Sequence, residues 1–481
     1  MIHRVTLVAA LGWSLSAGAT ASFGQHHGGR RAPEKPPTPT AAFPSPAVLV
    51  NASKLPHTVE VTLTAAPARL SIVPGPPSDV FAYNGVIPGP TLEVHEGDKV
   101  IIHFRNDLPE PTTIHWHGLH VPVESDGSPF YLVYPGHQYD YVFTIRKGMA
   151  GTYWYHPHPH HHTGYEIVKG LFGAIVIRAA DDPLPATLPE KLIILTDNRF
   201  LPDGSVDFPD EQSPAGRVDE ENGREGNIVF VNGRVMPTIS IRSGQVQRWR
   251  VINASAARVY RLAIPGHTLL QVGSDGGLFE HPVEVSDIML ANSERAEFLV
   301  RGTAAPGTST HLQSLPYDRY TFQTRPNDWN TTLDLLALEY TKQSPIKTVA
   351  IPATLRPVPA LDTAQVTERR VIVFSQGMIN GKLHDMGRVD VTAKLGAMEI
   401  WDLENVVGMD HTFHLHGFQF QVLDRNGIPE KSRRWKDTVN IPRHETARII
   451  VRFDDHPGKW MFHCHILDHE DHGMMGILEV K

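Results

Sequence analysis

Three stretches of this 481-residue chain carry one pattern: LEVHEGDKVIIHFRN ending at Asn106, ISIRSGQVQRWRVIN ending at Asn253, and DVTAKLGAMEIWDLEN ending at Asn405. In each, a glycine stands nine positions before the asparagine: Gly97, Gly244 and Gly396. Between them apolar residues alternate with polar ones (Val100, Ile102, Phe104; less strictly Val246, Trp249, Val251; then Met398, Ile400, Leu403). That is the period of a half-buried strand entered from a glycine turn. The copies start 147 and 152 residues apart, about the size of a domain. A chain built this way is expected to be all-β, with three consecutive domains at 51–182, 187–341 and 367–481, and a Pro-rich linker at 342–366. Its 39 glycines and 39 prolines suit the many turns such a fold needs.

The first and third copies agree further. His115 follows Gly97 by 18 residues and His414 follows Gly396 by 18; they open HWHG and HLHG. Later, GTYWYHPH (151–158) aligns with GKWMFHCH (458–465), matching His156 with His463 and His158 with His465. Side chains at i and i+2 of a strand point to one face. Each His-x-His pair therefore aims two imidazoles one way, and four pairs supply His115, His117, His156, His158, His414, His416, His463 and His465. The middle copy has Leu262 at the same offset and no such pair, so it reads as a metal-free spacer.

The only cysteine, Cys464, lies between His463 and His465. The alternation sends its thiol to the face opposite the two imidazoles, toward a second metal set whose candidate members are His411, His469 and Met474. Two imidazoles, a thiolate and a weak thioether form the ligand set of a blue-copper electron-transfer centre; zinc gains little from the methionine. Domain one has Thr112, Pro157 and Ile167 opposite His411, Cys464 and Met474, keeping only His162 opposite His469. It cannot build this second set. The extra histidines His160, His161 and His162 read as a polar loop.

Residues 1–21 have the order of a secretory signal peptide, a short basic start, an apolar run and small residues ending Ala19-Thr20-Ala21. Residues 22–50, rich in Pro and Gly, read as a flexible leader. A lone cysteine excludes an internal disulfide framework, which favours a bacterial envelope location, periplasmic or secreted. With a net charge of −8 and no basic tract, nucleic acid is not an expected partner, and no membrane span is expected after signal removal.

HWHG, WYHPH, HTFHLHG and HCHILDHEDHGMM, in this order, resemble the copper-binding motifs of the multicopper oxidases (laccases, bilirubin oxidases and bacterial cuprous oxidases) from about residue 56 onward. The resemblance implies three cupredoxin-like Greek-key β-sandwich or barrel domains and four copper ions. It places His411, Cys464, His469 and axial Met474 on the type 1 ion, and His115 and His414 on the type 2 ion. For the type 3 pair it implies His117, His156 and His463 on one ion, and His158, His416 and His465 on the other. Electrons would enter through an exposed edge of His469 and cross Cys464, and O2 would be reduced to water. Asp126 in ESDG and Glu470 in HEDHG match acids that serve the oxygen site in such enzymes; otherwise they read as a turn residue and a loop acid. Laccase-like oxidation of phenols or aromatic amines by a monomer is the favoured reading. Cuprous oxidase activity is the alternative, since Met378, Asp385 and Met386 resemble a stretch that binds substrate copper, although a core Met and a turn Asp account for them as well. A copper nitrite reductase, and a non-catalytic scaffold of the same fold, fit the full ligand complement less well.

Overall fold

The computed structural model describes residues 42–322 and 329–481, so the expected signal peptide and residues 22–41 of the leader lie outside the described residues. Among the described residues six β-sheets form, two for each third of the chain. The fold is all-β, three cupredoxin-like domains in succession. No described helix is long and apolar enough to cross a membrane.

The repeated pattern builds the same device three times. Lys99–Asn106, Val246–Asn253 and Met398–Asn405 are central strands. Each lies parallel to the strand that opens its sheet and antiparallel to a later one. The asparagine at its end closes the loop that follows. Asn106 Nδ2 donates to the Glu110 and Val133 carbonyls, Asn253 Nδ2 to those of Arg258 and Leu290, and Asn405 Nδ2 to those of Met409 and Ile441. Each Oδ1 accepts the backbone N–H two residues on. One buried side chain thus satisfies three backbone groups that would otherwise be desolvated without partners.

A second threefold repeat goes unread in the sequence. Asn84-Gly85, Asn232-Gly233 and Asn380-Gly381 have positive φ at both residues (50° and 75°, 51° and 73°, 52° and 69°), the conformation of a tight hairpin turn. Their spacing is 148 residues each time, more even than the 147 and 152 of the glycine–asparagine pattern. Each asparagine accepts one backbone N–H of the strand opposite, from Thr64, Ile194 and Val373.

Alternating apolar residues close a core inside each sandwich, around Phe104 and Trp116 in the first, Trp249 and Phe298 in the second, Trp401 and Phe462 in the third. Leu262, which stands where the flanking domains have His115 and His414, is fully buried in the middle core. A further apolar cluster joins the first two domains through Val80, Trp154, Ile194 and Ile252. The last residues of the leader are not free. Phe43 N–H donates to the Thr238 carbonyl at 3.0 Å and Leu49 N–H to that of Thr91 at 2.9 Å, so 42–50 lies as an edge against two domains.

Candidate metal centre

Two sheets carry the His-x-His pairs. In domain one, His115–His117 pairs antiparallel with Gly151–His156, with His115 opposite His156. In domain three, His411–Leu415 pairs antiparallel with Gly458–Cys464, with His414 opposite His463. Opposed residues share a face, so each sheet offers its imidazoles as one set, and the two sets meet. All eight side chains are buried. Across the junction His115 Nε2 is 3.4 Å from His414 Nε2, and His158 Nε2 is 3.3 Å from His463 Nε2. Burial holds His117, His156, His414 and His416 well below the ordinary imidazole pKa, and brings His158 and His465 down to about 3. These rings are neutral, with lone pairs available to a cation.

Which nitrogen faces the junction follows from the partner of the other. Nδ1 of His115, His156, His414 and His463 lies at 2.8–3.0 Å from a backbone carbonyl, that of Asp126, Pro157, Asp437 and Cys464 respectively, so each presents Nε2. His117 is reversed: its Nε2 meets Asp437 Oδ1 at 3.1 Å, and its Nδ1 lies 3.4 Å from His156 Nε2. His416 Nδ1 donates to Asp126 Oδ2 at 2.9 Å.

The triads differ in one respect from the resemblance. His463 Nε2 stands 3.1 Å from His416 Nε2 and 3.3 Å from that of His158, and these three fall in one group. His465 instead has its ring 5.0 Å from His117 and 5.4 Å from His156. The geometry thus groups His463 with His158 and His416 and sets His465 nearer His117 and His156, the reverse of what the resemblance implies. Strand alternation puts i and i+2 on one face, but which neighbours each imidazole meets depends on how the two sheets face each other.

Both expected acids are at the junction. Asp126, presented by the short turn Val123–Ser125, bridges His115 and His416. Gly127 beside it has φ 79°, and a Cβ there would overlap the Ile114 carbonyl, so the turn admits no side chain. Glu470 sits in helix α3 (Leu467–Asp471), with Oε2 3.1 Å from His463 Nδ1 and Oε1 3.5 Å from His158 Nε2. Burial pushes its carboxyl up, but His463 and His158 outweigh that and hold it well below the usual range.

Sequence reasoning missed Asp437, Arg295 and Asn292. Asp437 bonds His117 through its carboxylate and His414 through its carbonyl, and is itself paired with the fully buried Arg295. Asn292 takes a hydrogen from Thr412 at 2.7 Å and donates to the His465 carbonyl. Arg295 and Asn292 belong to the middle domain, which thus braces the cluster and does more than space its neighbours. No spacing signal marks them, because they act one layer behind the histidines. Gly118 closes HWHG at φ 85°; a Cβ there would run into Asp437 and Arg295.

On the other face of Gly458–Cys464, the thiol of Cys464 lies 3.7 Å from His469 Nδ1, and His411, Cys464 and His469 form one buried group. His411 shares the face of Phe413, which is opposite Cys464, while His414 lies three residues on and faces the junction. Met474 is buried in the same apolar core, and its carbonyl accepts the Cys464 N–H at 3.0 Å. Burial pushes the Cys464 thiol up to about 12 and His469 down to about 4. The expected exposed edge of His469 is absent. Helix α2 (Pro214–Asn222) of the middle domain covers it, the Glu221 carbonyl standing 3.2 Å from His469 Nε2, and the residue is 4% exposed.

In domain one the equivalent space is filled without sulfur. Thr112 donates to the buried Glu166 at 2.5 Å, and His162 pairs with Glu110 at 2.8 Å on the surface. His160, His161 and His162 lie in the connection into helix α1 (Thr163–Lys169). Met378 is half-buried in a two-residue strand, and Asp385 accepts the Gly387 N–H within a turn.

The donor set suits copper. It has eight imidazoles in one buried junction. Nearby is a thiol that burial keeps protonated unless a cation replaces its proton. His411 Nδ1 and both ring nitrogens of His465 are buried without hydrogen-bond partners, as atoms reserved for a metal would be.

Known proteins agree. Multicopper oxidase family models match residues 64–182, 207–343 and 354–481. A multicopper oxidase of Staphylococcus aureus is 32% identical over 87% of this chain and 88% of its own. The laccase of Bacillus subtilis is 27% identical over 84% and 91%, and the cell division protein FtsP of Escherichia coli 29% over 87% and 89%. Among solved structures, a multicopper oxidase from Campylobacter jejuni, titled a metallo-oxidase, superposes with a TM-score of 0.84 at 33% identity, covering 92% of this chain and 96% of that one. With the three matched regions and the paired histidine sheets in agreement, the chain belongs to the multicopper oxidase family, copper-dependent oxidoreductases that couple a reducing substrate to O2.

Proposed function

We propose that this protein oxidises small phenolic or aromatic donors one electron at a time and reduces O2 to two waters, with four copper ions. His411, Cys464, His469 and Met474 would hold the type 1 ion, and His115 and His414 the type 2 ion. The type 3 ions would lie in the triads His158, His416, His463 and His117, His156, His465. The observation that carries this reading is the shared strand: one residue, Cys464, separates the thiol face from the junction face. Copper, when bound, supplies the one-electron chemistry by which O2, four electrons and four protons become two waters.

The chain's own groups set the rest. The Cys464 carbonyl accepts from His463 Nδ1 at 3.0 Å, which ties the thiol-bearing residue to the oxygen-side imidazole by both covalent and hydrogen bonds. Glu470 lies against His158 and His463, where its carboxylate orients their rings beside the junction; Asp126 fixes the tautomers of His115 and His416. Burial of all eight imidazoles keeps bulk water out.

The copper-loaded protein should be blue, with strong thiolate-to-Cu(II) absorption that disappears in Cys464→Ser together with oxidase activity. A colourless loaded protein overturns the reading, and would instead suit a non-catalytic scaffold. A second reading rests on the cover over His469: a donor that must pass α2 is favoured by small size, which suits Cu(I). Rates on a phenol and on Cu(I), measured side by side, decide between them. Export to the bacterial envelope and a monomeric state complete the proposal, tested by the N-terminus of the mature protein and its sedimentation.

A further inference from the structure

The Pro-rich stretch between the second and third domains does more than connect them. Leu355 N–H donates to the Glu280 carbonyl at 2.8 Å and Arg356 N–H to that of Phe279 at 3.1 Å. From domain three, Gln421 Nε2 donates to the Pro359 carbonyl at 2.7 Å. The stretch is therefore held to both domains, and residues 356–359 form one wall of a cavity of about 310 Å³. Domain one closes a second side with Arg146 and Lys147, and domain three another with Phe418, Trp435 and Arg452. Gly276 of domain two permits this meeting, because a Cβ there would run into the Trp435 side chain and carbonyl. The volume falls within the roughly 300–1,000 Å³ of small-molecule sites, which favour domain junctions.

Charge decides what such a cavity could hold. Four cations, Arg146, Lys147, Arg356 and Arg452, line it against one carboxylate, Asp454, on a chain whose net charge is −8. Arg146 is shared between Asp454 and Asp455 at 3.1 and 3.4 Å, and Arg356 pairs with Glu96 at 3.1 Å. His120, also in the wall, is taken up by the Gly417 carbonyl and Asp455. Lys147 and Arg452 are exposed and have no ion pair among the described residues; Arg452 donates only to Gln365, at 3.2 Å. The uncommitted charge is positive and attracts an anion. Much of the remaining wall is apolar, with Leu278, Val358 and Phe418 buried and Trp435 half-buried. A bare inorganic anion would leave these walls unused, and an uncharged arene would leave the cations unused.

We infer that this cavity is a binding site for an aromatic carboxylate, apart from both the histidine junction and the thiolate site. Lys147 and Arg452 take the carboxylate, and Phe418 and Trp435 take the ring. The site lies behind the turns that close HWHG and HLHG, where Gln419 Nε2 donates to the Gly118 carbonyl at 3.4 Å.

Benzoate, which has no phenolic hydroxyl to oxidise, tests binding apart from turnover on the copper-loaded enzyme. Calorimetric titration at neutral pH should find one saturable site per chain. Benzamide, the same ring without the charge, should bind about tenfold more weakly, the worth of one charge-assisted hydrogen bond. Lys147→Gln combined with Arg452→Gln should weaken benzoate by about the same factor, with the blue absorption unchanged as proof that the variant folds and loads. Trp435→Leu should weaken it about fivefold through the ring. Lys382→Gln, which removes an exposed cation outside the cavity, should change it less than about twofold. In a crystal soaked with 4-bromobenzoate, the bromine signal should lie beside Trp435. Equal benzoate affinity in the wild type and the double variant overturns the inference, as does equal affinity for benzamide. A bromine signal found only elsewhere on the molecule overturns it as well.

Discussion

Asp437 ties two histidines of the junction to the middle domain. Its carboxylate fixes the reversed orientation of His117, its carbonyl orients His414, and Arg295 balances its charge in a fully buried pair. Replacing Asp437 with Asn keeps the size and removes the charge-assisted bond to His117. Activity with O2 is expected to fall ten- to a hundredfold, the usual cost of losing a group that orients a metal ligand. Because Asp437 lies on the junction side, the blue absorption should persist; loss of both signals together would contradict the role. Arg295→Met is a different experiment. It strands a buried carboxylate, at a cost of about 3–5 kcal/mol of folding stability, visible as a lower denaturant midpoint. A midpoint unchanged by Arg295→Met would mean that the pair does not brace the domains.

At the scale of elements, helix α2 covers the face where His469 lies beside the Cys464 thiol. Ser213 caps it by accepting the Gly216 N–H at 3.0 Å, and its far end brings the Glu221 carbonyl to His469. Replacing Pro214–Asn222 with a short Gly/Ser linker should uncover the His469 ring. For a bulky phenol, kcat/KM is then expected to rise severalfold through KM, while a small donor changes less than twofold. Equal effects on both donors would mean that α2 does not control access. This cover also shows where sequence reading stops. The His-x-His pairs and the thiol's opposite face were legible because strand alternation is local. The covering helix comes from another domain, 248 residues from His469, and the pairing of His463 with His158 and His416 depends on how two sheets face each other. The Asn-Gly turns at 84, 232 and 380 share a 148-residue spacing, but Asn222-Gly223 and Asn426-Gly427 fall outside that register and obscure it.

For the whole molecule, the cluster is a liability until metal arrives. His158 and His465 are held down to about 3 and His469 to about 4 by burial, whereas in the unfolded chain each titrates near 6.5. Above pH 6.5 these rings are neutral in both states and contribute no pH dependence. As pH falls below 6.5 the unfolded chain takes up protons that the folded one refuses, so stability drops by about 1.4 kcal/mol per pH unit for each such ring. The loss continues until the folded values near 4 and 3 are reached. His117, His156, His411, His414 and His416 shift in the same direction and steepen it. Copper held by the same lone pairs would bind the folded state more tightly than the unfolded one and so reverse the balance by mass action. Urea midpoints of the metal-free protein should therefore fall steeply between pH 7 and 5, and those of the copper-loaded protein much less. A metal-free midpoint that holds level across that range would show that these buried imidazoles are not packed as neutral rings before the metal binds.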